Sequence, residues 1–325
     1  MRRTSSTDRK PRSTFRRERN KTSIPAERRY QPGVRGVGPL RDNRFVMSES
    51  GDPAVDENAS PNSAGVWSTF LVEGPAGPIH VRSIGTGHAV VMLPSLGRGA
   101  SDFEDLAQRL AVTGYRAVAP EPRGIGGSTG VLEGVSMGDL ADDAVAVIKA
   151  LGLVPATVVG HAFGNRLARL VATRQPDLVS GLVLLACGGR FRPAPEHMAA
   201  LRRVFDTGTS PEEHLAAVGM AFFAPGNDPS VWTGGWFPAV AQLQGKAVEA
   251  DDPSGWWTAG SADVLVVQPA DDVVALPANA HDIIERLGGR ATLVNVTDAG
   301  HALLPEQPVV VADAVLRWLD ERQPG

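Results

Sequence analysis

The sequence predicts an α/β fold built on a doubly wound, mostly parallel sheet of eight strands, and three observations carry that prediction. Short, wholly apolar runs alternate with helical stretches. A Gly-x-Ala-x-Gly turn at 160–164 joins one such run directly to the helix after it. An interval of about 75 residues with helical stretches but no convincing strand then separates the last two runs from the others. Strands that alternate with helices need crossover connections, which are right-handed and cover a parallel sheet on both faces.

Order is expected to begin near Val66. Residues 67–73 and 79–84 alternate apolar and polar side chains around the Gly-Pro-Ala-Gly-Pro segment 74–78, the pattern of a β-hairpin. Buried-type runs follow at 89–93, 116–120, 157–160, 182–187, 264–268 and 292–296, with helical stretches at 103–113, 137–151 and 165–174 between them. The long interval holds helical stretches at 196–205, 211–223 and 229–244. An insertion of that size after a parallel strand, on the side where strand ends meet ligands, reads as a lid or cap. The expected organisation is therefore an N-terminal extension over 1–65, a sheet domain over 66–189 and 261–325, and a helical cap over 190–260. The cap is rich in large apolar side chains, among them Phe222, Trp232, Trp236, Trp256 and Trp257. Most should pack the cap onto the sheet domain and the rest line an apolar pocket, with Trp232 and Trp236 as candidate substrate contacts.

Composition narrows the function classes. A chain of 325 residues with 42% hydrophobic and 21% charged residues is long enough for a substantial core. No stretch approaches the roughly 18 apolar residues of a membrane helix, and no signal-peptide core follows the N-terminus, so a cytoplasmic protein is expected. The single cysteine, Cys187, excludes an internal disulfide and a cysteine-built zinc site. The net charge of −4 conceals an asymmetry: residues 1–46 carry 14 basic and 4 acidic residues, a balance of +10, and the remainder carries −14. Such an arm invites a nucleic-acid or membrane-surface reading. It has few bulky side chains and no periodicity, so disorder without such a partner is the expectation. Met47 opens a second polar stretch and is a candidate alternative start.

The turn at 160–164 is the most telling motif. In Gly-x-Ser-x-Gly, the glycines let the chain turn sharply from strand to helix and expose the central side chain as a nucleophile. Here Gly160-His161-Ala162-Phe163-Gly164 has the frame with alanine at its centre. Together with PSLGR (94–98), PRGIGGS (122–128), QPADD (268–272) and DAGHALLPEQP (298–308), in that order, it resembles the α/β-hydrolase fold family over roughly 66–322. The resemblance implies Ala162 at the nucleophile position, Asp272 as the acid and His301 as the base. It also implies an oxyanion hole from the backbone N–H groups of Leu96 and Phe163. The chain departs from the family in its alanine and in Pro94 and Ser95, which stand where the oxyanion loop has histidine and glycine.

Alanine excludes an acyl-enzyme. Losing the nucleophile costs a serine hydrolase about 10^6 in kcat, and binding plus the oxyanion hole retain about 10^3–10^4 over water. A carboxylate behind a histidine still makes a general base near neutral pH, so His301 and Asp272 are the leading catalytic candidates. Ser95 is a candidate ligand contact. Arg98 reads as a solvated arginine, with anchoring of an anion as the alternative. His161 is expected to point into the sheet or to pack beneath the loop, and Cys187 to behave as a small buried apolar residue. His80, His88, His197, His214 and His281 show no metal-site spacing, no nucleotide loop is present, and no cofactor is implied. Three classes remain open. The first is an enzyme using a His301/Asp272 base on a small, mainly apolar carbonyl or ester-type substrate. The second is a ligand-binding pseudoenzyme, and the third a serine esterase in which Ala162 replaces the serine.

Overall fold

A computed structural model describes residues 65–322. The basic arm, the Met47 start and the rest of the extension to residue 64 lie outside the described residues. The chain opens with a hairpin of β1 (Ser68–Gly74) and β2 (Gly77–Gly85), paired antiparallel. The predicted five-residue turn is shorter, because Gly74 and Gly77 are themselves paired. A positive φ of 137° at Gly77, which other residues rarely adopt, lets the chain reverse within Pro75-Ala76.

The alternating part follows in order: β3 (Ala89–Leu93), α1 (Glu104–Val112), β4 (Arg116–Pro120), α2 (Met137–Ala150), β5 (Ala156–His161), α3 (Phe163–Arg174) and β6 (Val179–Leu185). After the insertion come β7 (Val264–Pro269), β8 (Ala291–Val296) and their helices. The eight strands form one sheet in the order β1-β2-β4-β3-β5-β6-β7-β8. β2 pairs antiparallel with both neighbours, and every pairing from β4 to β8 is parallel.

Successive side chains of a strand point to opposite faces, and both faces are buried here. Val91, Val158, Leu182 and Leu184 belong to the cluster that includes α2 and α3, whereas Val90, Val159, Val183 and Leu185 belong to the cluster of α1 and the helix Pro308–Asp320 on the other face. α2 is started by a capping box in which Ser136 and Asp139 bond each other's backbone N–H groups. The strand expected over 182–187 ends at Leu185, because Ala186 turns to φ +53°.

Between β6 and β7 lie α4 (Pro195–Val204), α5 (Pro211–Phe222) and α6 (Pro238–Glu249), with no strand among them. The helix expected over 229–244 is not continuous. A short 3-10 turn at Pro229–Trp232 and a loop precede α6. Gly235 takes φ +76° in that loop, and Phe237, before Pro238, lies at φ −123°, ψ 85°, both incompatible with a continuing helix. A separate apolar cluster joins α4, α5 and Trp232 to Ala302, which follows β8. Downstream, α7 (Pro277–Leu287) precedes β8, and α8 (Leu303–Glu306) and α9 (Pro308–Asp320) follow it. Among the described residues no helix is long and apolar enough to cross a membrane.

Candidate active site

The turn after β5 is forced by close approach. A side chain on Gly164 would collide with the Leu93 carbonyl at the end of β3, and one on Gly160 with the backbone of Gly164 and Asn165. Ala162 sits between them at φ +49°, ψ −102°, a conformation that costs a residue with a Cβ about 1–3 kcal/mol. The surrounding packing holds it there, with Ala162 N–H donating to Leu185 O at 2.9 Å. Phe163 opens α3, so its N–H has no partner within the helix and lies at the positive end of the helix dipole.

The structure brings His301 and Asp272 together. His301 Nδ1–H donates to Asp272 Oδ2 at 2.9 Å, and both side chains are buried. Asp272 follows β7, and its Oδ1 accepts the backbone N–H groups of Val274 and Ala275 at 2.8 and 2.7 Å. His301 follows β8 on a loop tied down by Glu306, whose Oε2 accepts Gly300 N–H at 2.7 Å. With its Nδ1 proton committed to the carboxylate, the imidazole presents a lone pair at Nε2.

The insertion reaches this loop. The ring of Phe222, at the end of α5, stacks on His301 with centroids 5.4 Å apart, and Phe222 O accepts Ala302 N–H at 2.8 Å. Only glycine fits at position 300, where a Cβ would stand 2.6 Å from Phe222 O. Trp232 and Trp236 continue the aromatic wall, each packed on Phe222. Trp232 is buried and Trp236 half-buried.

His161 is fully buried at the end of β5 and packs against the loop that carries His301. Its ring lies 5.4 Å from that of His301 and 6.2 Å from that of Trp232, and its Nε2–H donates to the His301 carbonyl at 2.8 Å. Burial, reinforced by the neighbouring His301, pushes its pKa down to about 3, so it stays neutral. Its Nδ1 lone pair is buried and has no partner among the described residues. The partner is 140 residues away, and no local pattern announces it.

Arg98 corrects the solvated-arginine expectation. It is 3% exposed, donates through Nε and Nη2 to both carboxylate oxygens of Asp102, and donates through Nη1 to Gly234 O at 2.6 Å. Its guanidinium carbon stands 4.2 Å from the ring centroids of both Trp232 and Trp236. The spacing of four between Arg98 and Asp102 was the available signal; the tryptophan partners lie far along the chain. The loop is stitched further to the insertion: Gly97 N–H donates to Gln244 Oε1 at 2.7 Å, and Phe237 N–H to Gly97 O at 2.9 Å. Ser95 is buried at the start of this turn, where its carbonyl accepts Arg98 N–H; Leu96, the other implied oxyanion donor, lies between Ser95 and Gly97.

Cys187 is buried beyond the end of β6, and burial pushes its thiol pKa up. A cleft of about 420 Å³ opens between Asp102, Trp232, Gly235 and Pro305; His301, Asp272 and Ala162 do not line it.

Comparison with known proteins agrees with this geometry. The family model for the alpha/beta hydrolase fold matches residues 88–205. The chain is 28% identical over 250 residues to BpoC of Mycobacterium tuberculosis, named as a non-heme bromoperoxidase, covering 72% of this chain and 94% of BpoC. It is 28% identical over 261 residues to RutD of Caulobacter vibrioides, named as a carbamate hydrolase, covering 72% of this chain and 91% of RutD. The BpoC crystal structure superposes with a TM-score of 0.66 at 25% identity, over 77% of this chain and 98% of that one. An esterase of Exiguobacterium antarcticum shares the fold with a TM-score of 0.68 at 21% identity, over 78% of this chain and 100% of that one. Sheet order, the tight turn after β5 and these matches converge: the chain has the α/β-hydrolase fold and is similar to the proteins of that family.

Proposed function

We propose that the protein is an enzyme in which His301, oriented by Asp272, acts as a general base without a covalent intermediate on a small, mainly apolar carbonyl or ester-type substrate. The observation that carries this reading is the hydrogen bond from His301 Nδ1 to Asp272, in a chain whose nucleophile position holds alanine. Relatives named as a carbamate hydrolase and an esterase favour cleavage of an acyl C–O or C–N bond by water. In such a reaction His301 Nε2 takes a proton from water as its oxygen bonds to the carbonyl carbon. The N–H groups of Leu96 and Phe163 receive the developing oxyanion, and the imidazolium returns its proton to the leaving group as the acyl bond breaks. Helices α4 to α6 serve as a cap, with Trp232 and Trp236 as apolar walls and Ser95 as a polar contact. His301 is only 4% exposed beneath Phe222, so substrate entry requires the cap to move.

The strained backbone at Ala162 favours a second reading, a serine esterase whose nucleophile has been replaced, because the geometry serves an exposed hydroxyl better than a methyl group. Short aryl esters and carbamates assayed with wild type and Ala162→Ser separate the two. The base-only enzyme turns over as wild type, stays unlabelled by a serine-directed phosphonate, and gains no large rate from serine. An inert wild type beside an Ala162→Ser variant that is fast and labelled establishes the second reading instead.

A further inference from the structure

The helix after the tight turn carries two arginines that the chemistry above does not use. Arg169 is fully buried, and every partner it has is neutral. Its Nε donates to Asn165 O at 3.1 Å, and its Nη2 donates to Asn165 Oδ1 at 2.7 Å and to Gly188 O at 2.9 Å. Its Nη1 is buried and has no acceptor among the described residues. Trp257 lies under the guanidinium at 4.3 Å and Trp256 at 4.9 Å. Arg166 stands three residues earlier, on the same side of α3, half-buried. Among the described residues no carboxylate comes within 4.0 Å of either guanidinium. Asp251 is the carboxylate that acts on Arg166, after Cys187, and it is already bonded by Trp256 Nε1–H.

Two neighbouring cations withdrawn from water without a counter-charge are an expensive arrangement. Burial pushes both pKa values down, that of Arg169 to about 10, opposed in part by Cys187 and, for Arg169, reinforced by Arg166. The turn beyond β6 passes close beside Arg166. Gly189, at φ +130°, lacks a Cβ that would stand 3.4 Å from Arg166 Cζ and 3.2 Å from the Trp257 ring. Any larger residue there would cover the guanidinium.

We propose that Arg166 and Arg169, with the Gly188–Gly189 turn and Trp257, form a binding site for an oxyanion group, a carboxylate or a phosphate. Two guanidinium forks match the oxygens of such a group, and the missing Nη1 acceptor is the bond that it supplies. The half-exposed Arg166 provides the way in. The site is built from residues outside the proposed catalytic pair, so it stands independently of the reaction assigned to His301.

Thermal unfolding and titration calorimetry of the full chain test it, with inorganic phosphate and with acetate, each against sodium chloride at equal ionic strength. The expected result is a saturable rise in unfolding temperature and saturable heat with phosphate or acetate, and the better of the two identifies the class. Arg166→Gln weakens that binding by about tenfold or more, the scale of a lost charge-assisted pair. Asp251→Asn, which removes the competing carboxylate, tightens it. A response no larger than that to chloride, or one unchanged in Arg166→Gln, overturns the proposal. The wild-type comparison with chloride decides the matter even if the variant folds poorly.

Discussion

An Asp272→Asn variant is expected to lose about 10^2–10^4 of kcat, the range a positioned general base supplies, while unfolding near the wild-type temperature. Asparagine keeps an oxygen for the Val274 and Ala275 N–H groups that Asp272 Oδ1 now accepts, so the turn after β7 survives. The amide then presents N–H groups to His301 Nδ1, where the carboxylate now accepts a proton at 2.9 Å. Nδ1 must become an acceptor and the proton moves to Nε2, which leaves no lone pair facing the substrate. Steady-state kinetics paired with thermal unfolding separate this from simple loss of structure. Unchanged kcat in a folded variant would remove Asp272 from the mechanism.

Arg98→Ala is expected to destabilise the protein by about 3–5 kcal/mol, the usual cost of breaking a buried ion pair from one side. The Asp102 side chain is 3% exposed and would be left without its cation. The two tryptophans would also lose the guanidinium that fills the space against both. Burial already holds the Asp102 carboxyl above its ordinary pKa, with Arg98 pulling it back down. Without Arg98 it rises further, so the folded state holds its proton over a wider range than the unfolded chain. A group with a raised folded pKa loses stability as pH rises through that window. The deficit is therefore smaller at pH 5 than at pH 8, which denaturant unfolding at the two pH values checks. Arg98→Lys should recover only part of it, because an ammonium cannot bond both carboxylate oxygens and stack between two indoles. A loss below about 0.5 kcal/mol, the size of a surface substitution, would contradict the clamp.

Much of the fold was legible because its signals are local. The apolar runs lie within a few residues of β3 to β8, since a strand buried on both faces leaves a continuous hydrophobic stretch. The failures have local causes too: a positive φ at Ala186 ended β6 early, and Gly235 with Pro238 broke the helix expected over 229–244. Motifs also named Asp272 and His301, whose side chains the structure brings within hydrogen-bond distance. Arg98 was misread because its tryptophans come from the insertion, and the partner of His161, a carbonyl 140 residues on, was beyond reach for the same reason. Contacts made between distant loops leave no periodicity to read.

The central claim is that a histidine base works here without a nucleophile. The most direct measurement is hydrolysis of a short aryl ester by wild type and by His301→Ala across a pH series, with intact-protein mass recorded during turnover. The account predicts wild-type turnover, no acyl adduct on the protein, and a rate lower by about 10^2–10^4 in the variant at every pH of the series. Equal rates in the two proteins, or an acyl adduct during turnover, would contradict it.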